Sequence, residues 1–521
     1  MKINFEKVHI YLVFFLYALV FALIDTDADV DLWHRLALGR IFAQLGGVIN
    51  HDIFAYFPQV NSWIDHEWLS GVVFYQLSHL FGDAGIITLK ILIIFAIVSL
   101  MYHAGQLIAP DGEKRVLYYL LAVFSIMPGL SSTLRCQAFT YLFFTLWIFL
   151  LERIKKDRDG SANRLIWIFP ATMLAWTNLH GGFLAGVGLV FLFMLGELLN
   201  RQKPFKYLLI LLACLPTTLI TPYGLARFPQ LSNFFHDLSL DRSAFPEWQP
   251  MQLFGDVDDF LIYKIVVLLF FAVLMYKLIW DRKRIDWTEL LLPCTLFALS
   301  LAAKRHLVFF TITAIIYCYK HYSAFIRYAS SKITSYTQRI FEQDLRDKAI
   351  FMAKAFFYVF ITGFCVMLLA NNSFSITLDY YPTKALEFIR INNLRGNLFV
   401  QLNWGSYAMW KMYPYNFVSS DGRYEFIYTH QAYIDAYNLS YIKSISDWRD
   451  SFHTYHHDVL LVDKKGLMQQ KFSTLIDWKQ VYEDEKAIIF VPASLPDREW
   501  MLPEADDAYY IKTKYENDIT F

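Results

Sequence analysis

Four aspartates occupy alternate positions near the start of the chain, in the sequence IDTDADVDLWHRLALGR: Asp25, Asp27, Asp29 and Asp31. Carboxylates this close repel one another unless water, a cation or hydrogen-bond donors compensate. Such a cluster can bind a divalent cation such as Mg²⁺ or Mn²⁺, or supply a general base if one pKa is raised. Asp29 and Asp31 open an apparent helix, whose N-terminal dipole would hold them rigidly. We predict that these two are catalytic, and that they are the ligands if a metal binds. For the other two, an acidic surface patch is the simpler interpretation.

Polar groups also cluster at the ends of two apolar segments. In NSWIDHEWLSG, the neighbours Asp65, His66 and Glu67 precede an amphipathic segment, where they would contact a substrate or cap a helix. In TNLHGGF, His180 follows an apolar segment, where a structural role is the alternative to a substrate contact. We include all four among the predicted substrate-binding residues.

Three basic residues stand between segments that are apolar enough to enter a membrane. Arg135 lies in SSTLRCQAF, and Lys304 and Arg305 are neighbours in SLAAKRHLVFF. Cations at an outer membrane surface are costly without a partner, and a phosphate or diphosphate is a suitable one because arginine binds it bidentately. Snorkelling of these side chains to lipid headgroups is the alternative. We predict that the three residues bind the phosphate of a substrate.

A charged turn near the carboxyl end supplies the last candidate. The sequence SSDGRYEF places Asp421, Arg423 and Glu425 after a predicted strand. A turn with a surface ion pair is the default interpretation. A contact between Arg423 and a substrate at the membrane is the functional one.

The composition indicates what kind of protein carries these residues. Of 521 residues, 56% are hydrophobic and 18% are charged, whereas a soluble domain is less apolar and more charged. This excludes a disordered chain, a coiled coil, collagen and an ordinary cytosolic enzyme, and it indicates a polytopic membrane protein with a soluble part. The 47 basic residues balance 47 acidic ones, so no basic surface suggests nucleic acid. The five cysteines lie in apolar runs and are interpreted as packing residues.

The apolar runs predict about 11 transmembrane helices. They are 8–24, 84–107, 115–130, 135–152, 164–178, 181–199, 206–221, 260–280, 287–303, 305–320 and 350–370. Residues 67–82 are amphipathic and are predicted to lie in the membrane interface. The loops on the side of the amino terminus then carry 22 Lys and Arg, against 8 on the opposite side. By the positive-inside rule, the amino terminus is cytoplasmic and the first external loop is 25–83.

The composition changes after the last predicted span. We therefore divide the chain into a transmembrane domain, 1–370, and an extracytoplasmic domain, 371–521. In the second part, YYPTKALEFIRIN predicts a helix, and GNLFVQL, NFVSSD, DVLLVD and KAIIFVP predict short strands between turn residues. Because helix and strand signals alternate, this part is predicted to be a small α/β domain.

Several phrases spread over nearly the whole chain carry a family resemblance. They are DVDLWHRLALGR, WIDHEWLSGVVFYQLSHLFGDAGIITLKIL, AWTNLHGGFLAG, TPYG with a later EWQP, AAKRHLVFF, NWGSYAMW, SSDGRYEF and WKQVYEDEKAIIF. In their order and spacing, they resemble the GT-C superfamily of membrane glycosyltransferases. The likeness is greatest to bacterial proteins related to the protein O-mannosyltransferases and the lipid A aminoarabinose transferases.

The resemblance implies a sugar donor linked to a polyprenyl phosphate or diphosphate, and a reaction at the outer face of the cytoplasmic (inner) membrane. The family's first-loop acid acts as general base on the acceptor and corresponds best to Asp31, then to Asp29. Its phosphate contacts correspond to Lys304, Arg305 and Arg135.

The resemblance also adds one residue to the predicted substrate-binding set. His34 stands in LWHRL where relatives often show LWWHL, so it is shifted from the usual histidine position. Metal use differs among members of the superfamily, so a divalent cation is left open and no other cofactor is implied.

The predicted activity is therefore an inverting transfer of a hexosyl or pentosyl group to a hydroxyl of a protein, lipid or glycan. Two other classes remain as alternatives. One is a transporter or flippase of lipid-linked sugars, which needs charged or broken helices near the bilayer midplane, whereas the ionisable residues here gather at one face. The other is a non-catalytic envelope assembly protein.

Overall fold

The computed structural model describes residues 5–60, 62–109, 129–130, 134–157, 160–229, 246–254, 261–280, 285–319, 374–423, 427–441 and 448–503, with single positions between 321 and 370. Most of the described residues before 320 are helical. The helices are α1 (Phe5–Ile24), α2 (Val30–Leu45), α3 (Trp68–Phe81), α4 (Asp83–Ile108), α5 (Gln137–Lys156), α6 (Ile168–Leu179), α7 (Leu184–Leu199), α8 (Phe205–Thr217), α9 (Leu261–Trp280), α10 (Trp287–Ala302) and α11 (307–319). Short 3₁₀ helices at Gly181–Phe183, Pro246–Trp248 and Lys304–His306 lie near the ends of these helices.

Within the described part of the chain, four helices are long and apolar enough to cross a membrane. They are Asp83–Ile108, Gln137–Lys156, Gly181–Leu199 and Leu261–Ile279. Shorter apolar helices coincide with three more predicted spans: Ile10–Ile24, Phe205–Thr217 and Trp287–Ala302. The predicted spans 115–130 and 350–370 and the linker 321–349 lie largely outside the described residues. The structure thus shows a mostly helical, membrane-embedded protein, and the number of eleven spans stays a prediction.

Helices α2 and α3 pack directly against each other, and glycines permit the contact. A Cβ atom built on Gly39 of α2 would stand only 2.1 Å from the carbonyl oxygen of Gly71 on α3. The amphipathic segment predicted at 67–82 forms the helix Trp68–Phe81, and its position in the membrane interface stays a prediction. Because α2 begins immediately after Asp29, this contact fixes the helix that carries the acidic residues.

Substitution of Gly39 by alanine is expected to destabilise the protein, because a backbone carbonyl on α3 cannot move out of the way. Overpacking of a core costs about 1–3 kcal/mol, which exceeds the gain of about 1 kcal/mol in helix propensity. The midpoint of thermal unfolding in detergent should fall. Gly188→Ala on α7 is the matched control, since a Cβ there would have nothing within 4 Å. An unchanged midpoint for Gly39→Ala would show that α2 and α3 can separate without cost.

The carboxyl-terminal part contains a small α/β unit, as the sequence predicts. It comprises helix α12 (Thr383–Ile391), strand β1 (Gly396–Val400), helix α13 (Leu402–Met412), strand β2 (Asn416–Val418), helices α14 (His430–Tyr441) and α15 (Trp448–His453), strand β3 (Val459–Asp463), helix α16 (Leu467–Phe472) and strands β4 (Trp478–Glu483) and β5 (Ala487–Pro492). The sheet order is β2-β1-β3-β5-β4. The first three strands are parallel, and β5 pairs antiparallel with both β3 and β4. All four predicted strands are present, and β4 was not predicted.

The loop between α2 and α3 and the residues before α2 are joined to this α/β unit and to the chain just before it by backbone hydrogen bonds. Val418 donates to the carbonyl of Phe54 at 2.9 Å, which places the loop beside strand β2. Nearer the acidic cluster, Ala28 donates to the carbonyl of Thr377 at 3.1 Å, and the Tyr381 hydroxyl donates to the carbonyl of Ala28 at 3.0 Å. The residues before Asp29 are thus held between the helical part and the α/β unit.

Candidate active site

The amino-terminal end of α2 presents two of the acidic residues in a fixed geometry. Asp29 caps the helix, because its Oδ1 accepts the backbone N–H of Asp31 at 2.9 Å. Asp31 lies in the first turn and accepts a hydrogen bond from the guanidinium of Arg135. The Nε of the same arginine lies 3.5 Å from Asp29. The predicted helix start is therefore confirmed, and one predicted cation lies against the two predicted carboxylates.

The surroundings of Asp31 change its acidity. Burial raises its pKa, and Arg135 lowers it only partly; with Asp29 and Glu247 adding negative charge nearby, the pKa reaches about 6. The side chain still keeps 28% of its surface exposed, so a substrate group can reach it. A partly exposed carboxyl with a raised pKa is suited to general-base catalysis.

The second predicted cation lies in the same constellation of charges, through an acid that the sequence did not indicate. Arg305 lies 3.6 Å from Glu247, and its guanidinium stacks on the ring of Trp248 at 4.1 Å from the centroid. Burial raises the pKa of Glu247, but Arg305 and Arg135 outweigh it and hold this pKa below its usual range. Both arginines therefore act on one carboxylate.

Lys304 is half-buried beside this group, in the short 3₁₀ helix Lys304–His306. Its backbone N–H donates to the carbonyl of Gln249 at 3.0 Å, which ties the two short helices to each other. Within the described residues, its ammonium group makes no hydrogen bond or ion pair. It is thus available to a ligand beside Arg305.

Behind the acidic residues, Glu67 accepts several hydrogen bonds on its carboxylate. Arg35 Nη2 lies 2.8 Å away, and the Cys136 thiol donates at 3.0 Å. His180 Nε2 lies 3.2 Å from the other oxygen; its Nδ1 accepts the N–H of Gly182, so the ring proton is on Nε2 and points to Glu67. Despite its burial, the pKa of Glu67 is well below its usual range, mainly because of Arg35.

The two remaining residues of NSWIDHEWLSG join this buried network. Asp65 accepts a hydrogen bond from Arg35 and another from the Glu67 backbone at 3.1 Å. His66 Nε2 lies 3.6 Å from the Glu67 carboxylate. Burial lowers the pKa of both His66 and His180 to about 4, so both rings are neutral near pH 7. These residues hold α2 and α3 against the segment that carries Arg135 and Cys136.

Arg423 lies in a separate cluster, between the α/β unit and the loop that joins α2 to α3. Its guanidinium donates to Asp421 at 2.7 and 2.8 Å and to Asp52 at 2.6 Å, and its side chain is only 1% exposed. The Tyr428 hydroxyl also donates to Asp421 at 2.8 Å. This placement favours a structural role for Arg423 over the predicted contact with substrate.

His34 lies near both networks and is fully enclosed. Burial, followed by Arg35, lowers its pKa well below the usual range, whereas Asp421 acts in the opposite direction. Among the described residues, its Nδ1 has no hydrogen-bond partner. The ring is therefore neutral and faces the interior of the protein.

Comparison with solved structures identifies this architecture. The oligosaccharyltransferase AglB from Archaeoglobus fulgidus, in complex with an inhibitory peptide and a dolichol-phosphate, is similar over 88% of this chain and 70% of its own, with a TM-score of 0.57 and 10% identity. ArnT from Cupriavidus metallidurans, bound to undecaprenyl phosphate, is similar over 95% of this chain and 100% of its own, with a TM-score of 0.52 and 13% identity. The chain has the GT-C fold. No protein-family profile and no curated protein sequence matches it.

The contacts of the acidic residues decide whether they could hold a metal ion. Asp29 and Asp31 already face the guanidinium of Arg135, so a divalent ion would have to displace it. Glu67, Cys136 and His180 bring oxygen, sulfur and nitrogen within 4.8 Å of one another, a donor set suited to zinc. However, Arg35 already neutralises Glu67, and the Cys136 thiol donates its proton to the same carboxylate. Neither group fits a metal in this arrangement.

Several residues of this candidate site were missed by the sequence analysis. Glu247 stands in the phrase EWQP, where no neighbouring charge marks it. Arg35 follows Asp31 by one helical turn, a spacing that would favour an ion pair between these two residues, but in the structure Arg35 pairs with Asp65 and Glu67. Cys136 was interpreted as a packing residue, and its contact with Glu67 arises only from the folded chain.

Proposed function

We propose that this protein is an inverting glycosyltransferase that moves a sugar from a polyprenyl phosphate or diphosphate to an acceptor hydroxyl. The reaction takes place at the outer face of the cytoplasmic membrane, with the amino terminus in the cytoplasm and the domain 371–521 outside. One observation carries the proposal: in a GT-C fold, a reachable carboxyl with a raised pKa (Asp31) and a phosphate-binding type of cation (Arg305) belong to one constellation of charges. The sugar is a hexose or a pentose, and the acceptor is a protein, a lipid or a glycan.

Asp31 acts as the general base. It lies in the first turn of α2, where the cap made by Asp29 and the glycine contact with α3 fix its position. Arg135 orients the carboxylate and keeps part of it ionised against the cost of burial. Asp29 is the second carboxylate near the reacting hydroxyl and supports Asp31 rather than replacing it, because its Oδ1 is engaged in the helix cap.

Arg305 and Lys304 stabilise the leaving group. As the sugar's anomeric carbon separates from the phosphate oxygen, negative charge builds up on that oxygen, and electrostatic support of such an oxyanion is often the largest catalytic contribution. Trp248 holds the Arg305 guanidinium in place by stacking. Lys304 adds a second positive charge on a flexible stem, next to the first.

The chemical step is a single displacement at the anomeric carbon of the sugar. The acceptor oxygen forms a bond to the anomeric carbon as its proton passes to Asp31. The bond between that carbon and the phosphate oxygen breaks, and its electron pair leaves with the polyprenyl phosphate or diphosphate. The protonated Asp31 then returns the proton to water. Attack opposite the leaving group inverts the configuration at the anomeric carbon.

The proposed function is tested with membranes that contain the protein and a polyprenyl-linked sugar carrying a label. We expect the label to pass to a lipid-free or acceptor-bound fraction while an equal amount of polyprenyl phosphate or diphosphate is released. Membranes without the protein are the control. Movement of the intact labelled lipid across proteoliposomes, with no bond broken, would instead identify a flippase.

The pH dependence of the transfer should reveal the raised pKa of Asp31. Because the base must be ionised, kcat/KM should fall as the pH drops through about 6, and at pH 5 it should be about a tenth of its plateau. An aspartate of ordinary pKa would lose activity only near pH 4. The Asp27→Asn variant should keep the same profile, whereas a rate that is constant between pH 5 and pH 7 would exclude Asp31 as the base.

A further inference from the structure

Glu247 occupies the place where two cations of the proposed site act on one anion. Its Oε1 lies 3.6 Å from Arg305, and Gln137 donates to its Oε2 at 3.4 Å. Arg135 also stabilises its charge. The Glu247 carboxylate therefore lies beside Arg305, the residue that the proposed mechanism assigns to the phosphate of the donor.

The contacts of Glu247 are long and open to water. The side chains of Glu247 and Arg305 are 33% and 23% exposed, and the contacts of the carboxylate with Arg305 and Gln137 are 3.6 and 3.4 Å long. Ion pairs of this kind contribute little to stability. By contrast, Arg423 is enclosed between Asp52 and Asp421 at 2.6–2.8 Å. Glu247 can thus leave Arg305 at little cost, whereas a structural ion pair cannot.

Arg305 does not depend on Glu247 for its position. Its guanidinium stacks on Trp248 at 4.1 Å from the ring centroid. The hydrogen bond from the Lys304 backbone to Gln249 joins the short helix Lys304–His306 to the end of the short helix Pro246–Trp248. The arginine would therefore keep its place when the carboxylate moves away. A phosphate that binds Arg305 would find the guanidinium already in position, but it would have to displace the negative charge of Glu247.

From this arrangement we infer that Glu247 is a displaceable counter-ion that occupies Arg305 when no donor is bound and competes with the lipid phosphate for it. This inference rests on the proposed function. The competition lowers the affinity of the site for the spent lipid carrier, whose phosphate would otherwise stay bound to the two basic side chains. Glu247 is thus a positioning residue that promotes release of the product.

The test is the binding of undecaprenyl phosphate to the full-length protein in detergent, measured by calorimetry. Removal of one competing charge in Glu247→Gln should lower the Kd by about tenfold, which corresponds to about 1.4 kcal/mol. In turnover, the same variant should show a lower KM for the donor and a lower kcat, because release of the product slows. Glu387→Gln is the matched control, because it removes the acid of the ion pair with Arg390 in α12. It should leave the Kd, the KM and the kcat unchanged.

A second variant separates competition at Arg305 from a general effect of charge. In an Arg305→Ala background, Glu247→Gln should no longer tighten binding, because the cation for which the carboxylate competes is gone. If the amide variant does not fold, as judged by size exclusion and thermal unfolding, Glu247→Ala is used in its place. Unchanged or weaker binding by a folded Glu247 variant, with normal binding by the unchanged protein, overturns this inference and leaves the proposed function intact. Absence of binding and of transfer in the unchanged protein overturns both.

Discussion

The Asp31→Asn variant is expected to transfer sugar about 10²–10⁴-fold more slowly than the unchanged protein, which is the range that general-base catalysis contributes. The amide has the same shape and its oxygen still accepts a hydrogen bond from Arg135, but it cannot take up the proton of the acceptor hydroxyl. The loss should therefore appear in kcat, with little change in the KM for the donor. The measurement is the initial rate of label transfer from a polyprenyl-linked sugar.

Asp27→Asn is the matched control for this substitution. It makes the same chemical change in the same loop, at a side chain that is exposed and has no part in the proposed reaction. Its rate should stay near that of the unchanged protein. If a folded Asp31→Asn protein kept its full rate, Asp31 would not be the base, and Asp29→Asn would become the next substitution to test.

Removal of the guanidinium in Arg305→Ala should lower kcat by about 10²–10³-fold, as loss of one oxyanion partner does in other enzymes. The leaving phosphate then builds up its charge beside Lys304 alone. Arg305→Lys should recover part of the rate, because an ammonium keeps the charge but loses the bidentate fork and the stacking on Trp248. Steady-state kinetics with varied donor concentration measures both effects.

A stacked arginine outside the site serves as the control for Arg305. The Arg395 guanidinium lies 4.7 Å from the centroid of the Tyr415 ring in the α/β unit, so Arg395→Ala removes the same kind of contact away from the reacting groups. Its kcat should not change. Similar losses in both variants would show that folding rather than leaving-group stabilisation is affected, and full activity of Arg305→Ala would exclude the phosphate assignment.

Much of the fold could be predicted from local sequence patterns. The strands β1, β2, β3 and β5 are apolar segments bounded by turn residues, and the helix at 383–391 buries Ala385, Phe388 and Ile389 on one face as expected. Strand β4 escaped prediction because it lies at the edge of the sheet. Along it only Tyr482 is buried, and a shift in its register with β5 interrupts the alternation.

The candidate site was predictable where residue type alone was informative. Asp31 and Arg135 stood out because carboxylates crowd in one loop and cations are rare on that side of the membrane. Their direct contact could not be predicted, since 104 positions separate them. The role of Glu247 could not be predicted, because it is an isolated acid in the sequence. Only the folded chain brings Arg135 and Arg305 close to it.

The charged turn at Asp421 and Arg423 shows how far a local motif can predict the role of a residue. The sequence correctly groups the two charges, and the structure confirms their pairing. The third member of the cluster, Asp52, comes from the loop between α2 and α3, 371 positions from Arg423. That partner encloses Arg423 and removes it from any surface that a substrate could reach.

The backbone bonds between Phe54 and Val418 decide how this protein can be divided. Phe54 and Phe57 lie at 0% and 1% exposure among residues of the α/β unit, so a fragment beginning near residue 374 would lack two side chains of its own interior. It would also carry an open sheet edge, and Arg423 would lose its hydrogen bond to Asp52. A chimera that exchanges this unit between relatives must therefore carry residues 52–60 with it, because this loop supplies part of the interior of the α/β unit.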